Sequence, residues 1–188
     1  MVLNRLGFVA AQLTSKPGAR EALARTVTTG DLPGDGWSVI DERTWRTGVT
    51  GPATEWGRRA RKADCVTAWR SFKTARAGRW CWVQAVPLVS EADALSALEG
   101  TGDRLLRNLR AQVAVMREYD VAIDPFPGAG KVWAHEQRTA GPEGEGTALM
   151  LAAACGTSLI VVSGAGSPDW TWPEMIEVTA RQAALLTA

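Results

Sequence analysis

The chain has 188 residues, enough for one domain with its own core. Hydrophobic residues make up 46% and charged residues 22%, which excludes the disordered and fibrous classes. With 21 basic against 20 acidic residues the net charge is +1, so no global field draws the protein to nucleic acid or anionic lipid.

The first stretch, "MVLNRLGFVAAQL", is apolar but short, and Gly7 and Gln12 interrupt it. Val9-Ala10-Ala11 resembles a cleavage site, yet no Cys is placed near the start for lipid attachment. The expected location is cytoplasmic, with an exported form as the alternative. No apolar run approaches the ~20 residues of a membrane span. Ser15, Pro17 and "AREALART" then predict a short capped helix ending before Gly30. Residues 1–30 are expected to pack on a domain formed by residues 31–188.

"DLPGDGW" is a turn, since Pro33, Gly34 and Gly36 punctuate the backbone, and a strand follows from Trp37 to about Arg46. After a Gly- and Pro-containing connection, "CVTAWRSF" and "RWCWVQAVPLV" predict a hairpin whose turn at Arg76 to Arg79 uses Gly78. Arg58 to Arg79 carries eight basic residues with Asp64 as its only acid. It reads as a solvated loop and edge strand, with polyanion binding as the alternative.

Ser90 with Asp93 predicts a helix cap, and Ala92, Leu95 and Leu98 recur at helical spacing. Gly100 and Gly102 break that helix before "DRLLRNL" resumes it. Four strand signals follow: "VAVMREYDVAI", "KVWAHEQR", "TALMLAAAC" and "SLIVVSG". The short connection at Gly156 requires antiparallel neighbours. Thr171 with Glu174 is a complete capping box for an amphipathic final helix.

Leu149 to Cys155 and Leu159 to Val162 are apolar on consecutive residues, so both faces of those strands need covering. The predicted fold class is α+β: a single-domain, three-layer α/β/α sandwich of about seven mainly antiparallel strands with helices on both faces. Hydrocarbon on both sides of the sheet is expected to leave no room for an interior polar cluster.

The only histidine, His135, alternates with Trp133 and Gln137 on one strand face, while Glu136 points the other way. Its carboxylate partner would have to be Glu118, Asp120 or Asp124 from a neighbouring strand. One histidine and three scattered cysteines, Cys65, Cys81 and Cys155, exclude ordinary zinc sites, and "GPEGEG" at Gly141 to Gly146 has too few carboxylates for calcium. "FPGAGKVW", "SGAGSPDW" and "GTSLI" each lack the residues of the phosphate, dinucleotide and nucleophile-elbow motifs they suggest. A Cys65–Cys81 bridge across the hairpin is a minor alternative to free thiols.

Nine tryptophans stand beside one tyrosine and three phenylalanines. Core packing accounts for most of them, including Trp80 and Trp82 on one face of the hairpin, while Trp56 or Trp170 in polar loops would suit an aromatic recognition patch. The candidate binding residues are Trp133, His135, Trp170, Trp172 and Arg46. No catalytic or metal-ligating residue is assigned and no cofactor is expected.

The phrases "LPGDGW" opening the first strand, "SEADALSAL" opening a helix, the "TALMLAAACGTSLIVVSGAG" hairpin and the closing "WTWPEMIEVTARQAALL" resemble the Mog1/PsbP-like superfamily over Asp31 to the C-terminus. That group includes actinobacterial LpqN-type lipoproteins and a mycobacterial receptor-kinase sensor domain. The resemblance implies a fold used for binding, with no shared catalytic residues. The lipid-attachment and disulfide cysteines of the exported relatives have no counterpart here.

The expectation is therefore a non-enzymatic bacterial binding or adaptor protein, acting through a sheet–helix cleft or an aromatic surface patch. Its partner would be a protein or a small hydrophobic ligand rather than nucleic acid, with self-association as a further option. The alternatives are a lipid-binding protein and an enzyme that pairs His135 with a carboxylate of the adjoining strand.

Overall fold

The structure, a computed structural model, describes residues 17–48, 54–75, 78–110, 114–141 and 144–187. The Val9 to Ser15 region, Arg76 and part of the Gly141 to Gly146 loop lie outside those residues. The strands are β1 (Trp37–Arg46), β2 (Val66–Thr74), β3 (Trp80–Pro87), β4 (Ala114–Asp120), β5 (Lys131–Gly141), β6 (Gly144–Cys155) and β7 (Ser158–Ala165). They form one seven-stranded sheet in the order β1-β2-β3-β7-β6-β5-β4, antiparallel throughout.

The strands meander from β1 to β3, cross to the far edge, and return inward until β7 pairs with β3. The crossing is made by α3 (Glu91–Glu99) and α4 (Thr101–Arg110), two helices where the glycines predict a break. Gly156, at φ +54°, turns β6 directly into β7, and Cys155 pairs with Ser158.

Helices cover both faces. On one side α1 (Pro17–Ala24) lies against β1 and β2, and α5 (Trp172–Thr187) against β6 and β7. Their core holds Phe72, Val83, Leu151, Ile160, Val162, Met175 and Val178, all fully buried. Each such side chain contributes roughly 1.5–3 kcal/mol of transfer free energy. On the other side Ala60 of α2 (Glu55–Lys62) and Ala94, Ala97 and Leu98 of α3 pack on Val86, Ala152, Ala154, Leu159 and Val161. Val161 and Ala152 thus alternate with Ile160, Val162, Leu151 and Ala153 between two cores, as the unbroken apolar runs require.

Local caps hold the helix ends. Ser90 Oγ accepts from Asp93 N at 3.2 Å. The Glu174 carboxylate accepts from Thr171 N at 2.8 Å and from Thr171 Oγ1 at 3.0 Å, completing the box that starts α5.

Three expectations are corrected. Residues 55–62 are a helix rather than part of a loop: Thr54 caps it by accepting from Gly57 N, and it lacks an apolar period because only Gly57 and Ala60 are buried. A methyl group on Gly48 would lie 2.1 Å from the Gly57 carbonyl oxygen, so the two backbones approach closely here, while Ala60 and Trp56 pack on the core. β4 ends at Asp120, which leaves Asp124 outside the sheet. The cysteines are free, and Cys65 and Cys81 belong to the cores on opposite faces, so no bridge spans the hairpin.

Candidate functional site

Cross-strand neighbours share a face, so the register places Asp41, Ser71, Trp82, Ser163, Met150, His135 and Asp120 in one row across all seven strands. The adjoining row runs Lys73, Trp80, Ala165, Ala148, Gln137 and Glu118. Both rows lie on the α2–α4 face, beyond the apolar patch that α2 and α3 cover. Ser71, Ser163, His135 and Gln137 are buried there. The expected hydrocarbon coat is therefore interrupted: the residues at one end of the strands build a polar floor.

His135 is 3% exposed and its Nδ1 lies 2.8 Å from Asp120 Oδ1. A carboxylate offers only acceptors, so Nδ1–H donates, and in a neutral ring the lone pair is then on Nε2, which points the other way. Nε2 is 3.7 Å from Glu118 Oε2, and no hydrogen-bond partner reaches it. Gln137 is fully buried; its Nε2 donates to Glu118 Oε2 at 3.3 Å, and its Oε1 has no partner. The indole of Trp133 stacks on the imidazole with centroids 5.6 Å apart and planes 11° from parallel. Asp120 is 69% exposed at the edge strand, so solvent reaches the cluster from that side.

The arrangement orients an imidazole, and among the described residues no hydroxyl or thiol is hydrogen-bonded to its Nε2. Ser163, in the same row, is separated by Met150 and hence by two strand spacings, roughly 10 Å. A hydroxyl at that distance is out of reach of Nε2. Among the described residues no group of three His, Cys, Asp or Glu side chains is arranged to hold a metal ion.

The other candidate residues lie elsewhere. Trp170 is 4% exposed, donates from Nε1 to Trp80 O at 3.1 Å, and carries the Arg79 guanidinium 4.3 Å above its ring. Arg79 in turn pairs with both oxygens of Glu174 at 3.0 Å. Trp172 is half-buried against the α5 core, and Arg46 ends β1 in an exposed ion pair with Asp64. These three sit on the α1–α5 side or at the sheet end, apart from Trp133 and His135.

Nor is the basic segment a continuous stripe. Arg59 pairs with Glu55 and Asp93. Arg70 donates to the carbonyls of Leu23, Thr26 and Val27 that end α1, and pairs with Glu42. Arg79 is taken up by Glu174. These three guanidiniums are structural partners. No described helix is long and apolar enough to cross a membrane.

Register alone could have linked His135 to Asp120; the sequence names the two strands but not their offset. Gln137 was visible only as a polar residue on the same face, and Ser163 only as a polar break in an apolar run.

No protein-family model matches the chain, and no curated protein matches it. Among solved structures, the extracellular domain of PknH from Mycobacterium tuberculosis is similar in fold, with a TM-score of 0.56 at 8% sequence identity. The match covers 90% of this chain and 96% of that one, so the likeness spans the whole architecture.

Proposed function

We propose that this chain is a binding domain of the Mog1/PsbP-like kind, non-enzymatic, which takes its ligand or partner on the polar floor between the sheet and the α2–α4 side. The observation that carries this reading is the pair of buried, unpartnered acceptors, His135 Nε2 and Gln137 Oε1, two residues apart on one strand face. Leaving a buried polar group unmatched costs about 1–3 kcal/mol, a cost that a bound group at the site offsets. The fold likeness to an extracellular receptor-kinase domain supports both the binding role and the exported alternative for location. The working unit is residues 31–188, with the segment 1–30 packing on it. Trp133 and His135 are the binding residues carried forward; Trp170, Trp172 and Arg46 take no part.

A thermal-shift screen of small polar and amphipathic compounds tests the reading. Compounds that raise the midpoint of the wild-type chain should fail to do so for His135→Ala and Gln137→Leu. Binding undiminished in both variants overturns the site.

A second reading, an acid–base enzyme built on His135 and Asp120, is favoured by their 2.8 Å contact. Turnover of a hydrolase or transferase substrate that disappears in His135→Ala would establish it in place of the first.

A further inference from the structure

We infer that the site is a seat for a cationic N–H donor, a primary ammonium or a guanidinium. This rests on the binding reading and names the ligand chemistry of the same site.

Every orientation at the cluster is set by a carboxylate. Asp120 accepts from Nδ1–H, and in the neutral ring this leaves Nε2 as a lone pair. Glu118 accepts from the Gln137 amide nitrogen, which leaves Oε1, rather than the NH₂ group, without a partner. The two atoms left over are therefore both acceptors, on side chains that are 3% and 0% exposed. An anion or a carbonyl ligand would meet acceptors with acceptors.

Charge points the same way. Glu118 and Asp120 bring two carboxylates to the edge of the cluster. A protonated amine has three donors, more than the two that Nε2 and Oε1 can accept from. Phosphate or a fatty-acid carboxylate would be repelled. A single water could also donate to both acceptors, and it is the competing occupant.

The test uses the sole histidine of the chain, whose imidazole signals in a long-range ¹H–¹⁵N NMR spectrum report on this site alone. The ligand-free wild-type protein at pH 7.5 should show the Nδ1–H tautomer. Adding n-butylammonium or butylguanidinium should shift the Nε2 resonance saturably, while butyrate and butanol, of matching length, leave it unchanged. Gln137→Leu should weaken the cation's binding roughly tenfold or more, the scale of one lost charge-assisted hydrogen bond.

An Nε2–H tautomer or an imidazolium at that pH overturns the inference, because the second acceptor is then a donor. No shift with either cation also overturns it, and identifies water as the occupant. A shift with butyrate or butanol but not the cations leaves the binding site standing and removes the ligand class. The wild-type spectra decide these outcomes even if the Gln137 variant fails to fold.

Discussion

Gly102 of α4 lies so close to the indole of Trp133 that a methyl group on its Cα would sit 2.9 Å from Cε2 and 3.0 Å from Nε1. The helix is seated on β5 by the absence of a side chain, and the indole it presses is the one stacked on His135. Gly102→Ala should lower stability by about 1–3 kcal/mol in urea unfolding, overpacking outweighing the better helix propensity of alanine. It should also move the His135 imidazole resonances. A stabilised variant with unchanged resonances would show that helix and indole separate without cost.

The proposed binding role of Gln137 makes a prediction about stability. Gln137→Met has similar volume, removes the orphaned Oε1, and gives up one hydrogen bond to the partly exposed Glu118. The unliganded variant should match or exceed the wild type by up to about 1 kcal/mol in chemical denaturation. A loss of more than about 2 kcal/mol would mean that a bound water satisfies Oε1 and that the residue is structural.

Gln182 is the opposite case. From inside α5 its Oε1 accepts from Val27 N at 3.0 Å and its Nε2 donates to Arg25 O at 2.8 Å, closing the chain that leaves α1. Gln182→Leu strands two backbone groups, one of them fully buried, and should cost about 2 kcal/mol or more. Hydrogen exchange at Val27 should accelerate in this variant, while exchange in β6 changes only as global stability does.

The Asp93 carboxyl, buried at the start of α3, is held below the usual carboxylate range, first by its hydrogen bonds to the Arg59 guanidinium, with burial acting the other way and Ser90 assisting. For Glu174, burial is the largest single influence and would raise the value, but the Thr171 amide and hydroxyl and the Arg79 guanidinium together outweigh it and leave it lowered. Both folded values lie below the unfolded ones. Their stabilisation is thus complete above the ordinary carboxylate pKa of about 4 and is lost as pH falls through the folded values. Melting temperatures should fall below about pH 4 for the wild type and fall less steeply for Asp93→Asn. Equal slopes would show that the Arg59 pair does not form in solution.

At neutral pH the two halves of that pair should differ. Arg59→Ala leaves a buried carboxylate without its cation, whereas Asp93→Asn leaves a guanidinium that is half exposed and free to hydrate. The first variant should melt lower than the second; the reverse order would place the cost in the loss of the Asp93 charge at the start of α3.

Much of the fold was legible residue by residue. Strand-forming runs between turn signals marked all seven strands, those of β6 and β7 apolar without a break rather than alternating; Gly78 and Gly156 marked two tight hairpins, and Ser90 and Thr171 marked two helix starts, because each of these signals acts over a few bonds. α2 escaped, since it buries only Gly57 and Ala60 and meets Gly48 by a close backbone approach, which leaves no hydrophobic period to betray it.

The site divides along the same line. Alternation alone put Trp133, His135 and Gln137 on one face and sent Glu136 away from it. What the linear chain could not supply was the offset of β4 against β5, and a shift of one residue would have turned Asp120 to the opposite face. Nor could it show that Arg59, Arg70 and Arg79, a basic run on paper, are each consumed by a distant acid or carbonyl. Strand direction and turn chemistry are local energies and are written in neighbouring residues. The convergence of two carboxylates on a buried imidazole and amide is decided by register across the sheet, which only the packed structure sets.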